Sequence, residues 1–118
     1  MNIQKTTHLI QEWAVERNLH TADPRGQMLK LMEEVGEIAA ALARKDIDEV
    51  MDGIGDVGVV INILATQVGS SIEECMELAY NEIKDRKGKM VNGVFVKEAD
   101  LKTCPHGDNW DDCPDCRH

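Results

Sequence analysis

The sequence predicts an all-α protein, an antiparallel helical bundle that ends in a short β-hairpin and is followed by a Cys/His-rich tail. Three observations predict it. Apolar residues recur at helical spacing through most of the chain before Ile83. Helix-start signals stand ahead of these stripes, at Asp23-Pro24 and at Ser71 with Glu74. The one clear hairpin signal is Asn92-Gly93 between short alternating runs. The expected organisation is a domain over 1–97, hairpin included, and a tail over 98–118.

Taken in order, Leu9, Ile10, Trp13 and Ala14 follow Thr6 and Thr7 and predict a first helix ending near Asn18. Asp23 caps and Pro24 opens a second helix, expected to reach about Arg44. At about 100° per residue, Met28, Leu31, Met32, Val35, Ile38, Ala39 and Leu42 form its apolar arc. A third helix is expected from near Ile47 to the Gly69 region. Beyond Asp56 it is apolar almost all round, as a central buried element would be. Ser71 and Glu74 form a capping-box pattern for a fourth helix, with Ile72, Cys75, Met76, Ala79 and Ile83 as its stripe and Gly88 as its stop. The hairpin follows and needs a surface to pack on, because an isolated one is marginal.

Composition narrows the function. With a formal net charge of −9 over 118 residues, a nucleic-acid backbone or an anionic membrane is not the expected partner. No apolar run is long enough to span a bilayer, and MNIQKTTHLIQEW lacks the order of a secretion signal, so a cytoplasmic protein is expected. In that setting the four cysteines suggest thiols or a metal site before disulfides. A core this small gains from oligomerisation.

The chemistry concentrates in Glu33, Glu34, Glu37, Glu49, Asp52 and Asp56. Several of these acids border apolar stripes, where unpaired charge is costly unless a cation neutralises it. A hard divalent ion such as Mg2+ suits oxygen donors. Glu34 lies at the edge of the second helix's apolar arc, with Lys30 and Glu37 on the same flank, whereas Glu33 points further outward. Glu49, Asp52 and Asp56 share one side of the third helix, and Asp56 stands where that side turns aliphatic. For Glu33 and Glu49 a solvated face is as good a reading as a ligand role. Gly53, Gly55 and Gly58 each cost about 1 kcal/mol relative to alanine, which suggests close helix approach or room for a ligand.

The element Glu33-Glu34-Val35-Gly36-Glu37, a second acidic element ending in Asp56-Val57, and Asn81-x-x-Lys84 with Arg86 together resemble the MazG-like nucleoside triphosphate pyrophosphohydrolases. The likeness covers roughly residues 5–97. It implies an all-α pyrophosphatase fold, a homodimer or homotetramer, and Mg2+-dependent cleavage of a nucleoside triphosphate, a dNTP above all, between the α and β phosphates. The products are a nucleoside monophosphate and pyrophosphate. By position Glu34, Glu37 and Asp56 match metal ligands, with Glu33 as an accessory or water-positioning acid. One departure stands out: the usual second element is Glu-x-x-Asp, and the position three before Asp56 is Gly53. Asp52, one turn from Asp56, is a substitute ligand, while Glu49-Val50-Met51-Asp52 satisfies the element in an earlier register.

In this reading Mg2+ bridges phosphates and carboxylates, with Mn2+ as a substitute, and one carboxylate orients or deprotonates the attacking water. Lys30, Asn81, Lys84, Arg86 and Lys87 are the phosphate-binding candidates. Without the resemblance, Lys84, Arg86 and Lys87 read as favourable charges at a helix C-terminus. Trp13 and Tyr80 are available to stack on a base, although an aromatic residue near an apolar stripe is more often core. His8 and His20 read as surface or loop residues, and Cys75 as a small core residue. In the tail, Cys104, His106, Cys113 and Cys116, with His118 as an alternative ligand, have the spacing of a structural Zn2+ site. Two other classes fit parts of the pattern. One is a non-catalytic zinc-containing helical adaptor or nucleotide-binding regulator. The other is a di-iron bundle, which requires Glu-x-x-His pairs that the helices lack.

Overall fold

The computed structural model describes residues 1–101, so the proposed zinc ligands Cys104, His106, Cys113, Cys116 and His118 lie outside the described residues. Four helices and one antiparallel hairpin follow in order: α1 Ile3–Glu16, α2 Pro24–Ala43, α3 Ile47–Gln67, α4 Ile72–Ile83, β1 Gly88–Val91 and β2 Val94–Lys97. Short 3-10 turns stand at Leu19–Thr21 and Glu98–Asp100. The chain forms a compact unit over Met1–Glu77 and a second that begins at Leu78 within α4. Among the described residues, no single helix is long and apolar enough to cross a membrane.

The caps explain the boundaries. Asn2 accepts from the Lys5 backbone N–H at 2.8 Å, so α1 begins several residues before its apolar periodicity does. Asp23 caps α2 by accepting from the Arg25 N–H at 2.9 Å, and Asp46 caps α3 through the Glu49 N–H at 3.2 Å. At the far end of α3, Gly69 takes φ 83°, and the Ser70 N–H returns to the Ala65 carbonyl at 2.9 Å. The expected capping box of α4 is half formed. Ser71 Oγ accepts from the Glu74 N–H, while the Glu74 carboxylate takes its bond from Ser70 Oγ at 3.0 Å.

In the first unit α2 and α3 pack as an antiparallel pair across a three-residue connection, and α1 packs on α3. Gly53 makes the α2–α3 approach close, because a Cβ there would stand 2.5 Å from Ile38 Cγ1. The buried apolar residues are Ala14, Ala41, Val60, Ile63 and Ala65, so α3 is the central element that its composition predicts. Asn62, 1% exposed, is the polar residue among them. Its Nδ2 donates to the Thr7 carbonyl at 3.0 Å, and its Oδ1 accepts from Gln11 Nε2 at 3.2 Å. Gln11 also reaches both Glu73 oxygens at 3.1 Å, and Thr7 Oγ1 donates to Glu73 Oε1 at 2.6 Å. One polar network thus ties α1, α3 and the first turn of α4 together.

Two expectations need correction. The α4 stripe is not a core stripe within one chain: Cys75, Met76, Ala79 and Ile83 are exposed, with Cys75 Sγ 3.6 Å from Ser70 Oγ. Periodicity identifies an apolar face without saying what covers it. Gly88 is not the stop of α4 either, since the helix ends at Ile83 and Gly88 pairs with Lys97 in the hairpin. A side chain at position 88 would collide with the Val96 carbonyl and the Phe95 ring, so the glycine serves strand approach. In the second unit Asn92 and Gly93 take φ 50° and 80°, the double left-handed turn expected of this dipeptide.

Candidate active site

Two helical stripes build the candidate site. On α2, Glu37, Ala40 and Arg44 share a side because three- and four-residue steps return to one face. On α3, Glu49, Asp52, Gly53 and Asp56 do the same. The antiparallel pairing brings these seven residues around a cleft of about 160 Å³. Both registers of the second acidic element therefore reach one place: Glu49, Asp52 and Asp56 all line it.

Glu34 lies one turn before Glu37, and its Oε2 is shielded from solvent with no hydrogen-bond partner. The residue as a whole is half-buried, so one oxygen is sealed while the rest retains access. Burial, first, raises its carboxyl above the ordinary range. The negative charges of Glu37 and Asp56 add to this, while the Lys30 ammonium opposes it. Glu34, Glu37 and Asp56 thus form one electrostatic group across the two helices.

The donor set suits a hard cation. The carboxylates supply only oxygen, and the shielded Glu34 Oε2 lacks a hydrogen-bonding partner. Among the described residues no three His, Cys, Asp or Glu side chains already stand in a metal-holding arrangement. The acids share a cleft without being drawn together.

The other sequence candidates belong to other segments of the chain. Glu33 is exposed on α2. Asn81 belongs to α4, and Lys84, Arg86 and Lys87 to the turn after it; the Lys84 and Arg86 N–H groups bond to the Tyr80 and Ile83 carbonyls. These cations therefore follow the C-terminus of α4, where they also suit the helix dipole. Trp13 is 45% exposed and so is not core; the Arg17 guanidinium sits 4.3 Å from its ring centroid. Tyr80 is exposed too. His8 is a surface residue whose Nε2 lies 3.9 Å from Glu73, and His20 occupies the 3-10 turn before α2 with its Nδ1 shielded and unbonded.

Arg44 is the cleft residue that the reading of acids overlooks. Its signal was the seven-residue interval from Glu37, two helical turns on one face.

The comparisons with known proteins bear on this helical pair. Over 67 residues the chain is 42% identical to an uncharacterized 18.2 kDa protein in the rep-hol intergenic region of Haemophilus phage HP1 (strain HP1c1). The match takes in 56% of this chain and 41% of that relative, so the chain spans about two-fifths of its length. No solved structure matches. The profile of the MazG nucleotide pyrophosphohydrolase domain covers residues 23–91, from the cap of α2 through β1 and including every acid of the cleft. By that match over more than half its length, the chain belongs to the MazG nucleotide pyrophosphohydrolase family.

Proposed function

We propose that this chain hydrolyses nucleoside triphosphates, with dNTPs as the preferred class, at the α–β phosphoanhydride to release a nucleoside monophosphate and pyrophosphate, in a Mg2+-dependent reaction. The observation that carries this reading is the orphaned, shielded Glu34 oxygen coupled to Glu37 and Asp56 across the α2–α3 pair. Shielding a carboxylate oxygen without a hydrogen-bonding partner is unfavourable, and a bound cation would relieve that cost.

Glu34, Glu37 and Asp56 would hold the ion, with Asp52 or Glu49 completing the set from α3. Bound there, Mg2+ supplies charge neutralisation for the polyphosphate and a Lewis acid at the phosphoryl oxygens. Glu33, exposed beside Glu34 in sequence, orients the attacking water or accepts its proton. The water oxygen forms the new bond to phosphorus as the bond to the bridging oxygen breaks, and pyrophosphate leaves. Lys30 acts from the α2 side, since its charge is felt at Glu34. Asn81, Lys84, Arg86 and Lys87 are assigned to the phosphates on the family resemblance of their sequence positions. Trp13 offers a surface for a base, although Arg17 already stacks on its ring.

The reading extends to a homodimer or homotetramer, supported by the exposed apolar stripes of α2 and α3. It also includes an appendage at 98–118 in which Cys104, His106, Cys113 and Cys116, or His118, bind structural Zn2+. That part is supported by ligand spacing, and the metal content of the purified chain tests it.

The deciding experiment is a panel of dNTPs and NTPs with Mg2+, assayed for pyrophosphate against orthophosphate, with Glu37→Gln and Asp56→Asn as controls. Pyrophosphate release that both variants abolish is expected. Orthophosphate as the product, or turnover unchanged in both variants, would overturn the proposal.

A further inference from the structure

Arg44 lines the acidic cleft beside Glu37, Glu49, Asp52 and Asp56, and is the cationic side chain among its lining residues. Among the described residues it nevertheless forms no ion pair within 4 Å; the ion pairs there join His8 to Glu73, Arg17 to Glu16 and Arg25 to Asp23. A guanidinium beside four carboxylates that is committed to none keeps its N–H donors available. Its location is fixed by the fold. Arg44 is the C-cap of α2, its N–H bonded to the Ala40 carbonyl, and Lys45 follows with φ 59° as the chain turns toward α3.

The charges give this position a use. Carboxylates attract a cation but repel the polyphosphate that must accompany it, so the phosphoryl oxygens need positive charge close to the acids. Arginine meets that need with a planar fork that binds two oxygens at once and does not lose its charge. We propose that Arg44 is a substrate-binding residue that grips the pyrophosphate half of the nucleotide beside the acidic cleft. This rests on the pyrophosphohydrolase reading above and extends it, since the grip then comes from the same helical pair as the carboxylates. The competing account is a surface arginine that only complements the C-terminal dipole of α2.

The test uses the full chain, with Arg44→Ala, Arg44→Gln and Arg44→Lys compared with wild type. Calorimetric titration with magnesium pyrophosphate, and separately with a nucleoside monophosphate plus Mg2+, measures the contacts directly. Loss of a charge-assisted fork should weaken pyrophosphate binding about tenfold or more in Arg44→Ala and Arg44→Gln, with partial recovery in Arg44→Lys. Monophosphate binding should change less than about twofold, because that half of the substrate does not meet Arg44. Equal pyrophosphate affinity in all four proteins, with only a lower melting temperature in the variants, would establish the dipole role and overturn the proposal. A wild-type chain that does not bind magnesium pyrophosphate would overturn it too. If pyrophosphate binds through Arg44 but no triphosphate is hydrolysed, the reaction assignment fails while the Arg44 site stands.

Discussion

Ile38 occupies the space that a side chain on Gly53 would need, its Cγ1 lying 2.5 Å from where that Cβ would stand. By the resemblance to the family, Gly53 is also the position where a glutamate of the second acidic element is expected. The missing carboxylate and the close α2–α3 approach are therefore two sides of one substitution, and Asp52 and Glu49 supply oxygens to the same cleft. Gly53→Ala should cost about 1–3 kcal/mol by overpacking. Gly26→Ala, in α2 with nothing within 4 Å of the added Cβ, should gain up to about 1 kcal/mol. Chemical denaturation of the two variants checks the contrast. A neutral Gly53→Ala would mean that Ile38 moves aside freely.

How far the sequence carries can be judged at such positions. Asp23-Pro24, Ser71-Glu74 and Asn92-Gly93 locate their elements because each carries its own local hydrogen-bond or φ requirement. The start of α1 is less legible, since the Asn2 cap precedes any apolar repeat. The acids can be grouped by helical angle, yet the sealed oxygen of Glu34 depends on packing that no spacing encodes. Gly53 looks like a helix-weakening residue until Ile38 is placed over it. Cys75 and Met76 sit on an apolar stripe, and only the tertiary structure reveals that this stripe is uncovered in a single chain.

The raised carboxyl of Glu34 makes the stability of the chain depend on pH. Because its folded carboxyl is raised above the ordinary 4.5, the folded chain retains a proton that the unfolded chain releases first. Metal-free stability should therefore fall as pH rises from about 4.5 through the raised value, then stay level with respect to this group. Glu34→Gln should raise the metal-free melting temperature at neutral pH and cancel the rise that Mg2+ gives the wild type. Activity should drop about a hundredfold or more, because the ion that would neutralise the polyphosphate loses a ligand. Melts across pH with and without Mg2+ measure the first two effects. A Glu34→Gln protein stabilised by Mg2+ as much as wild type would remove Glu34 from the ligand set.

Glu73 behaves in the opposite sense. The Thr7 hydroxyl, first, holds its carboxyl below the ordinary range; burial opposes this, while its own backbone N–H, Gln11 and the His8 charge assist. Its contribution to stability is complete above the ordinary carboxylate value of 4.5 and is lost as pH falls through the lowered one. The side chain is 36% exposed, so water screens the effect and a modest size is expected. Thr7→Val should cost about 1 kcal/mol near neutrality, and much less once Glu73 is protonated. Denaturation of Thr7→Val, Glu73→Gln and the double variant should show the two losses failing to add. Strict additivity would mean that the 2.6 Å contact carries no coupling.

The last expectation concerns the apolar surface that one chain leaves uncovered. Met28, Met32, Val35 and Leu42 repeat along α2, and Ile47, Met51 and Ile54 along α3, all exposed, with Met51 at 65%. Among the described residues three of the five buried apolar side chains are alanines, so little large apolar surface is covered there. Exposed side chains in two helical stripes are what a second copy would cover, since burying each is worth about 1.5–3 kcal/mol. Met51→Glu or Ile54→Asp should shift the assembly toward monomer and weaken it about tenfold or more, because each places charge in a desolvated contact. Light scattering over a dilution series measures the assembly directly, and pyrophosphate release per chain at each concentration shows whether activity follows it. A wild-type chain that is monomeric at every concentration would end the homo-oligomer reading. A dimer unaffected by both substitutions would mean that copies meet through another surface, with the exposed stripe of α4, Met76 and Ile83, as the next to substitute.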